Sequence, residues 1–135
     1  MPTGLTKDAG WEIGVSRTLP LPPAAVWDFL TGREGVRLWL GPVEGAAGGL
    51  PTEKGEPYRT ADGVAGELRG HRPGSRIRLT HGSTTVQVTV SPAPGAGGTK
   101  SVLRFHQEHL ADAAEREERR AHWRRVMDEV AGALC

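Results

Sequence analysis

Trp123, Val126, Met127, Val130 and Leu134 recur at steps of three and four residues, so a helix at the end of the sequence carries an apolar stripe about three turns long. Such a stripe needs a surface to lie on, because packing of the apolar face stabilises a helix in a protein more than propensity does. The preceding stretch supplies that surface as a meander of β-compatible runs with turn signals at close spacing. Asp62-Gly63 turns a short strand around Tyr58 into residues 64–71, and Pro73-Gly74 turns those into residues 76–81. Gly82-Ser83 opens residues 84–91, where Val86, Val88 and Val90 alternate with Thr85, Gln87 and Thr89. A longer turn over residues 92–98 leads into the last strand, residues 99–107, with Leu103 and Phe105 on its inner side.

The N-terminal half adds one strand and two short helices. In residues 11–19, Trp11, Ile13 and Val15 fall on one side and Glu12, Gly14 and Ser16 on the other, as a half-buried strand requires. Pro20, Pro22 and Pro23 end it, and proline in the first turn of a helix costs nothing because that N–H has no partner there. Residues 23–30 form a short helix with Val26, Phe29 and Leu30 on one face, stopped by Gly32. A second piece over residues 34–40 carries Val36, Trp39 and Leu40 and stops at Gly41-Pro42. Residues 41–55 are glycine-rich and read as a mobile loop that gates something. Asp112 and Glu115 have capping-box spacing for the last helix. Its first turns are charged, with Glu115 and Arg119 placed to pair, and read as a solvated surface.

The expectation is an α+β fold: a curved antiparallel sheet of about six to seven strands wrapped around a long C-terminal helix, with two short helices after the first strand. At 135 residues the chain is one domain, residues 11–135, behind a flexible N-terminus of residues 1–10. Seventeen basic and sixteen acidic residues leave a net charge of +1, which gives no field favouring nucleic acid or an anionic membrane. No run of eighteen apolar residues is present, so membrane insertion is not expected. The single cysteine, Cys135, allows no intrachain disulfide and suits a reducing cytoplasm. Residues 1–10 lack the apolar run and basic flank of a signal peptide.

The order of elements resembles the helix-grip fold shared by lipid-transfer START domains and birch-pollen-allergen-like proteins (the SRPBCC domain). Specific residues narrow this. Arg17-Thr18-Leu19-Pro20-Leu21-Pro22-Pro23-Ala24-Ala25-Val26-Trp27, with Trp39 twelve residues on, is similar to the opening of bacterial proteins resembling the activator of a heat-shock-protein ATPase. Gly63-Val64 leading to Glu67, then Pro73-Gly74-Ser75-Arg76-Ile77-Arg78-Leu79, resembles that family's central hairpin. Gly98-Thr99, Phe105-His106-Gln107-Glu108 and His122-Trp123 resemble its end, so the likeness runs over residues 11–134. One departure is His81, where many members carry a tryptophan after the Leu-Thr of the central strand. The resemblance implies an interior cavity for hydrophobic ligands without fixed chemistry or a cofactor. Members bind lipids, hormones or polyketides, and some act as cyclases or in antibiotic self-protection.

A concave sheet closed by one helix leaves a gap lined by large apolar groups, where ligands sit. The expected ligand contacts are Trp27, Trp39, Leu79, His81, Phe105, Trp123 and Met127. Trp27, Trp39 and Trp123 come from the three helical pieces, where core anchors that fill the space themselves are the commoner reading; Trp39 beside the glycine loop is the candidate cavity lip. His81 is in phase with Ile77 and Leu79 and so faces inward, either satisfied by structure or available to a ligand. His106 and His109, three apart in a strand, point to opposite faces and do not share a metal. Nothing ties Ser16, Ser83 or Ser101 to a base and an acid, and residues 45–49 lack the lysine of a phosphate-binding loop. Arg69, Arg72, Arg76 and Arg78 read as a solvated sheet face. The expected function is therefore binding of a small hydrophobic molecule, by a monomer or weak homodimer. The alternatives are a cyclase or hydrolase using His81 and a carboxylate such as Glu67, or a protein that sequesters a toxic metabolite or binds a protein partner.

Overall fold

The computed structural model describes residues 4–6, 10–44 and 50–135. Residues 1–3, 7–9 and 45–49, which include parts of the expected flexible N-terminus and of the expected gating loop, lie outside the described residues. The elements in chain order are β1 (Leu5–Thr6), β2 (Gly10–Leu19), α1 (Pro23–Thr31), α2 (Arg33–Trp39), β3 (Pro57–Arg59), β4 (Ala65–Arg72), β5 (Arg76–His81), β6 (Thr84–Pro92), β7 (Ser101–Leu110) and α3 (Ala113–Leu134). The strands form one antiparallel sheet in the order β1-β2-β7-β6-β5-β4-β3. This is the α+β helix-grip arrangement expected from the sequence. Among the described residues no helix is long and apolar enough to cross a membrane.

Residues facing each other across the ladders form rungs on the inner face. Ile13, Gln107, Val86, Leu79 and Leu68 make one, and Val15, Phe105, Val88 and Ile77 make the next. The alternation read from β6 thus holds across four neighbouring strands, because in-register antiparallel residues share a face. Onto this face α3 lowers Trp123, Val126, Met127 and Val130, all buried. It packs against β2 and β7 on one side and α2 on the other. Leu134, the last residue of the expected stripe, is only partly buried.

Local signals operate largely as expected. Pro23 opens α1, and α3 is capped by Asp112, whose carboxylate accepts from the Glu115 N–H at 2.8 Å. The reciprocal half of that cap differs: the Glu115 carboxylate accepts from the Ala111 N–H at 3.1 Å, one residue before the expected donor. Glu115 is therefore committed to the cap. Strand β7 runs three residues beyond its expected end at Gln107, to Leu110, and that extension carries Glu108 into the sheet. Gly35 is where α2 crosses α1, since a Cβ there would lie 1.9 Å from the Phe29 carbonyl oxygen.

Candidate functional site

At one end of the sheet, where α2, α3 and the β5–β6 hairpin converge, the packing leaves a cavity of about 280 Å³. The volume sits at the lower edge of the roughly 300–1,000 Å³ usual for small-molecule sites. Trp39, Trp123 and Val86 supply apolar wall, and Arg37, Leu38, Leu40 and Gly41 line it from α2 and the residues after it. Asp62, His81, Arg119 and His122 complete the lining. The wall is thus mixed in polarity, with parts of two largely buried tryptophans beside titratable groups.

His81 is held by Tyr58. The Tyr58 hydroxyl donates to the Thr80 carbonyl oxygen at 2.6 Å and lies 2.9 Å from His81 Nδ1, with the two rings stacked at 6.1 Å. A phenol has one proton, and a carbonyl can only accept, so Nδ1–H of His81 must donate to the Tyr58 oxygen. This assigns the lone pair of neutral His81 to Nε2. Burial pushes the His81 pKa below the usual value, with Asp62 opposing and Arg119 reinforcing the shift. Tyr58 reaches this position across Gly66, its cross-strand partner; a Cβ there would lie 1.9 Å from the Thr80 carbonyl oxygen and 2.7 Å from the Tyr58 ring. Burial raises the Tyr58 pKa, keeping the phenol protonated.

A second network starts from Gln107 on β7, which is 3% exposed. Its Oε1 accepts from Trp123 Nε1–H at 2.9 Å and from Arg119 Nε–H at 2.8 Å, and its Nε2 donates to Thr84 Oγ1 at 2.9 Å. Thr84 Oγ1 passes its own proton to the His81 carbonyl at 2.7 Å. The guanidinium of Arg119 is thereby fixed 5.6 Å from the centre of the Trp123 ring, a cation–π arrangement. Beside it, His122 meets Trp123 edge-on at 5.0 Å, and burial followed by the charges of Arg119 and Arg125 lowers its pKa to about 4. Asp62 stays ionised, held below the usual carboxylate range by the hydrogen bond from Thr60 Oγ1.

Of the seven residues expected to contact a ligand, Trp39, His81 and Trp123 line this cavity. Leu79, Phe105 and Met127 are fully buried in the packed layer between sheet and helix, where the Phe105 and Trp123 rings stack at 4.9 Å. Trp27 lies elsewhere: it stacks on His71 at 6.0 Å and lines a separate depression of about 260 Å³ with Leu50, Pro51 and Ile77. Trp39 is also anchored, its Nε1–H donating to the Leu30 carbonyl at 2.9 Å. Glu67 pairs with Arg69 at 2.8 Å, and the carboxylate in the cavity wall is that of Asp62.

Sequence reading missed Tyr58, Asp62, Gln107, Arg119 and His122. For Arg119 a signal existed: residues 119, 123, 126, 127 and 130 continue the stripe backwards by one turn, and the structure pairs Arg119 with Gln107 where Glu115 was expected. The described residues hold one grouping with metal-like proximity, Glu12, His106 and Glu108, whose ligand atoms lie within 4.8 Å of one another. The Glu108 carboxylate there is bound by the Arg78 guanidinium.

No protein-family model matches the chain, and no curated protein matches its sequence. Solved structures do match. Protein MLL2253 from Mesorhizobium loti is similar at 18% identity and a TM-score of 0.74, over 91% of this chain and 96% of the other. DynU16, described as a protein in the dynemicin biosynthetic locus, is similar at 19% identity and a TM-score of 0.70 over 91% of this chain, which spans 46% of the DynU16 chain. The Aha1 dimer from Colwellia psychrerythraea is similar at 13% identity and a TM-score of 0.70, over 91% of this chain and 95% of the other. At these identities the likeness is one of fold.

Proposed function

We propose that the protein binds a small ring-bearing molecule, a polyketide or other aromatic metabolite, in the cavity between α2, α3 and the β5–β6 hairpin, without a cofactor. The observation that carries this reading is the pairing of Trp39 and Trp123 with His81 around one cavity. Aromatic lining suits a ring-bearing molecule, and a few fixed polar groups orient it. The likeness to DynU16 favours a metabolite of the polyketide kind, and the likeness to the Aha1 dimer is compatible with a weak dimer. Sequestration of a toxic metabolite would need nothing beyond such binding.

Two of the four tryptophans line the cavity, so ligand binding should change tryptophan emission. Titration with a panel of fused-ring aromatics, polyketides and lipids is expected to give a saturable change with at least one of the ring compounds. Leu38→Trp, which fills the cavity from α2, is expected to lose it. No saturable response from the wild-type protein to any of the panel overturns the reading.

A second reading, acid–base catalysis on the bound molecule, is favoured by the Nε2 lone pair of a neutral His81 in the same cavity wall as ionised Asp62. His81→Asn keeps a donor for Tyr58 and removes the base. Turnover of a bound ligand that survives this change counts against catalysis by His81.

A further inference from the structure

Arg119 is a guanidinium with most of its donors unspent. A guanidinium offers five N–H groups, and Gln107 takes the one on Nε. Arg17, Arg69, Arg78, Arg116 and Arg120 each stand within 4.0 Å of a carboxylate, and among the described residues Arg119 does not. Glu115, the acid one turn away on α3, is turned to the Ala111 N–H. Burial lowers the Arg119 pKa, with the charges of Glu118 and Glu115 opposing the shift from beyond ion-pair distance and that of Arg125 reinforcing it.

We propose, on the premise that this cavity binds a small molecule, that the molecule carries a carboxylate next to its ring and that Arg119 receives it. Two parallel N–H···O bonds from the guanidinium match the spacing of the two carboxylate oxygens, a geometry lysine cannot offer. The network Trp123–Gln107–Arg119 fixes the fork before any ligand arrives, so little side-chain entropy remains to be lost on binding. The charge of the wall agrees: Arg37 and Arg119 stand against Asp62 alone, and Asp62 is already bonded to Thr60. His81 and His122 are shifted toward their neutral forms, so the positive charge offered to an anion here is that of the arginines. A ring attached to the carboxylate then lies in the same cavity that Trp39, Trp123 and Val86 help to line.

The test compares 2-naphthoate with 2-naphthamide by isothermal titration at low and high salt, using the wild-type protein. One good charged hydrogen-bonded contact corresponds to roughly tenfold or more in affinity, so the acid is expected to bind about tenfold tighter than the amide, with the margin shrinking in salt. Arg119→Gln is expected to remove that margin, and Arg119→Lys to recover only part of it. Equal binding of acid and amide to the wild-type protein overturns the carboxylate receptor and leaves the ring-binding reading standing. Failure of both to bind also overturns the carboxylate receptor, and the panel titration above decides the ring-binding reading on its own. The wild-type comparison requires no variant to fold.

Discussion

Gln107 Oε1 accepts two hydrogen bonds from the same helix, one from Trp123 Nε1 and one from Arg119 Nε, and so ties the aromatic wall and the cationic wall of the cavity to a single atom on β7. The Nε2 of that amide donates to Thr84, which in turn holds the His81 carbonyl. One buried side chain therefore sets the positions of groups from α3 and of the end of the β5–β6 hairpin.

Removing that side chain leaves the Trp123 donor buried and unpaired. Gln107→Leu is expected to cost about 2–4 kcal/mol, since each orphaned buried polar group costs roughly 1–3 kcal/mol and Arg119 retains access to solvent. Urea unfolding followed by tryptophan emission measures it. A loss under about 0.5 kcal/mol would mean that the network does not hold the site together.

The tautomer of His81 follows from the Tyr58 proton count, and it is directly observable. In the wild-type protein, long-range proton–nitrogen correlation spectra should show the proton on Nδ1 and the lone pair on Nε2. Tyr58→Phe deletes the acceptor, and the spectra should then show the other tautomer gaining population, with a stability loss of about 1 kcal/mol. A wild-type His81 protonated at Nε2 would contradict the assigned orientation of the site.

Much of the architecture was legible because its signals are local. Asp62-Gly63, Pro73-Gly74 and Gly82-Ser83 each mark a turn between strands that pair, and Val86, Val88 and Val90 declare their face by alternation alone. The pairing of β2 with β7 joins Leu19 to Ser101, and no local pattern encodes such a separation. The interior was harder still. Leu79, Phe105 and Met127 are in phase with an inward face, and phase says nothing about whether neighbouring side chains fill the space they face. Summed side-chain volume decides that, and it closes the centre of the sheet–helix seam while leaving one end open. Arg119 was hidden by its neighbours: charge density pointed to water, and only the stripe spacing pointed inward.

Histidine burial also makes stability depend on pH in a stated direction. The folded-state pKa of His122 lies at about 4, below the ordinary 6.5, so the unfolded chain binds the proton first as pH falls. The contribution of neutral His122 is therefore complete above about pH 6.5 and lost as the pH drops towards 4. His81 shifts in the same sense, and Asp62 acts only below its ordinary 3.8. Thermal melts should show Tm falling through this window and His122→Gln flattening the fall. A Tm that is level between pH 7 and pH 4 in the wild-type protein would contradict the burial of both rings.

Gly66 offers the sharpest test of how the fold positions His81, because the two substitutions to compare differ in cause. Gly74 sits in the β4–β5 turn at φ +81° with nothing within 4 Å of an added Cβ, so Gly74→Ala carries only the left-handed penalty of about 1–2 kcal/mol. Gly66 has no such φ, and its added Cβ collides with the Thr80 carbonyl and the Tyr58 ring. Gly66→Ala must push the phenol off its acceptor or part β4 from β5, at a cost of about 1–3 kcal/mol or more. Only Gly66→Ala should disturb the His81 tautomer, because Tyr58 is the group displaced. If the Gly74 variant perturbs His81 equally, the link from β3 through Gly66 to the cavity wall is wrong.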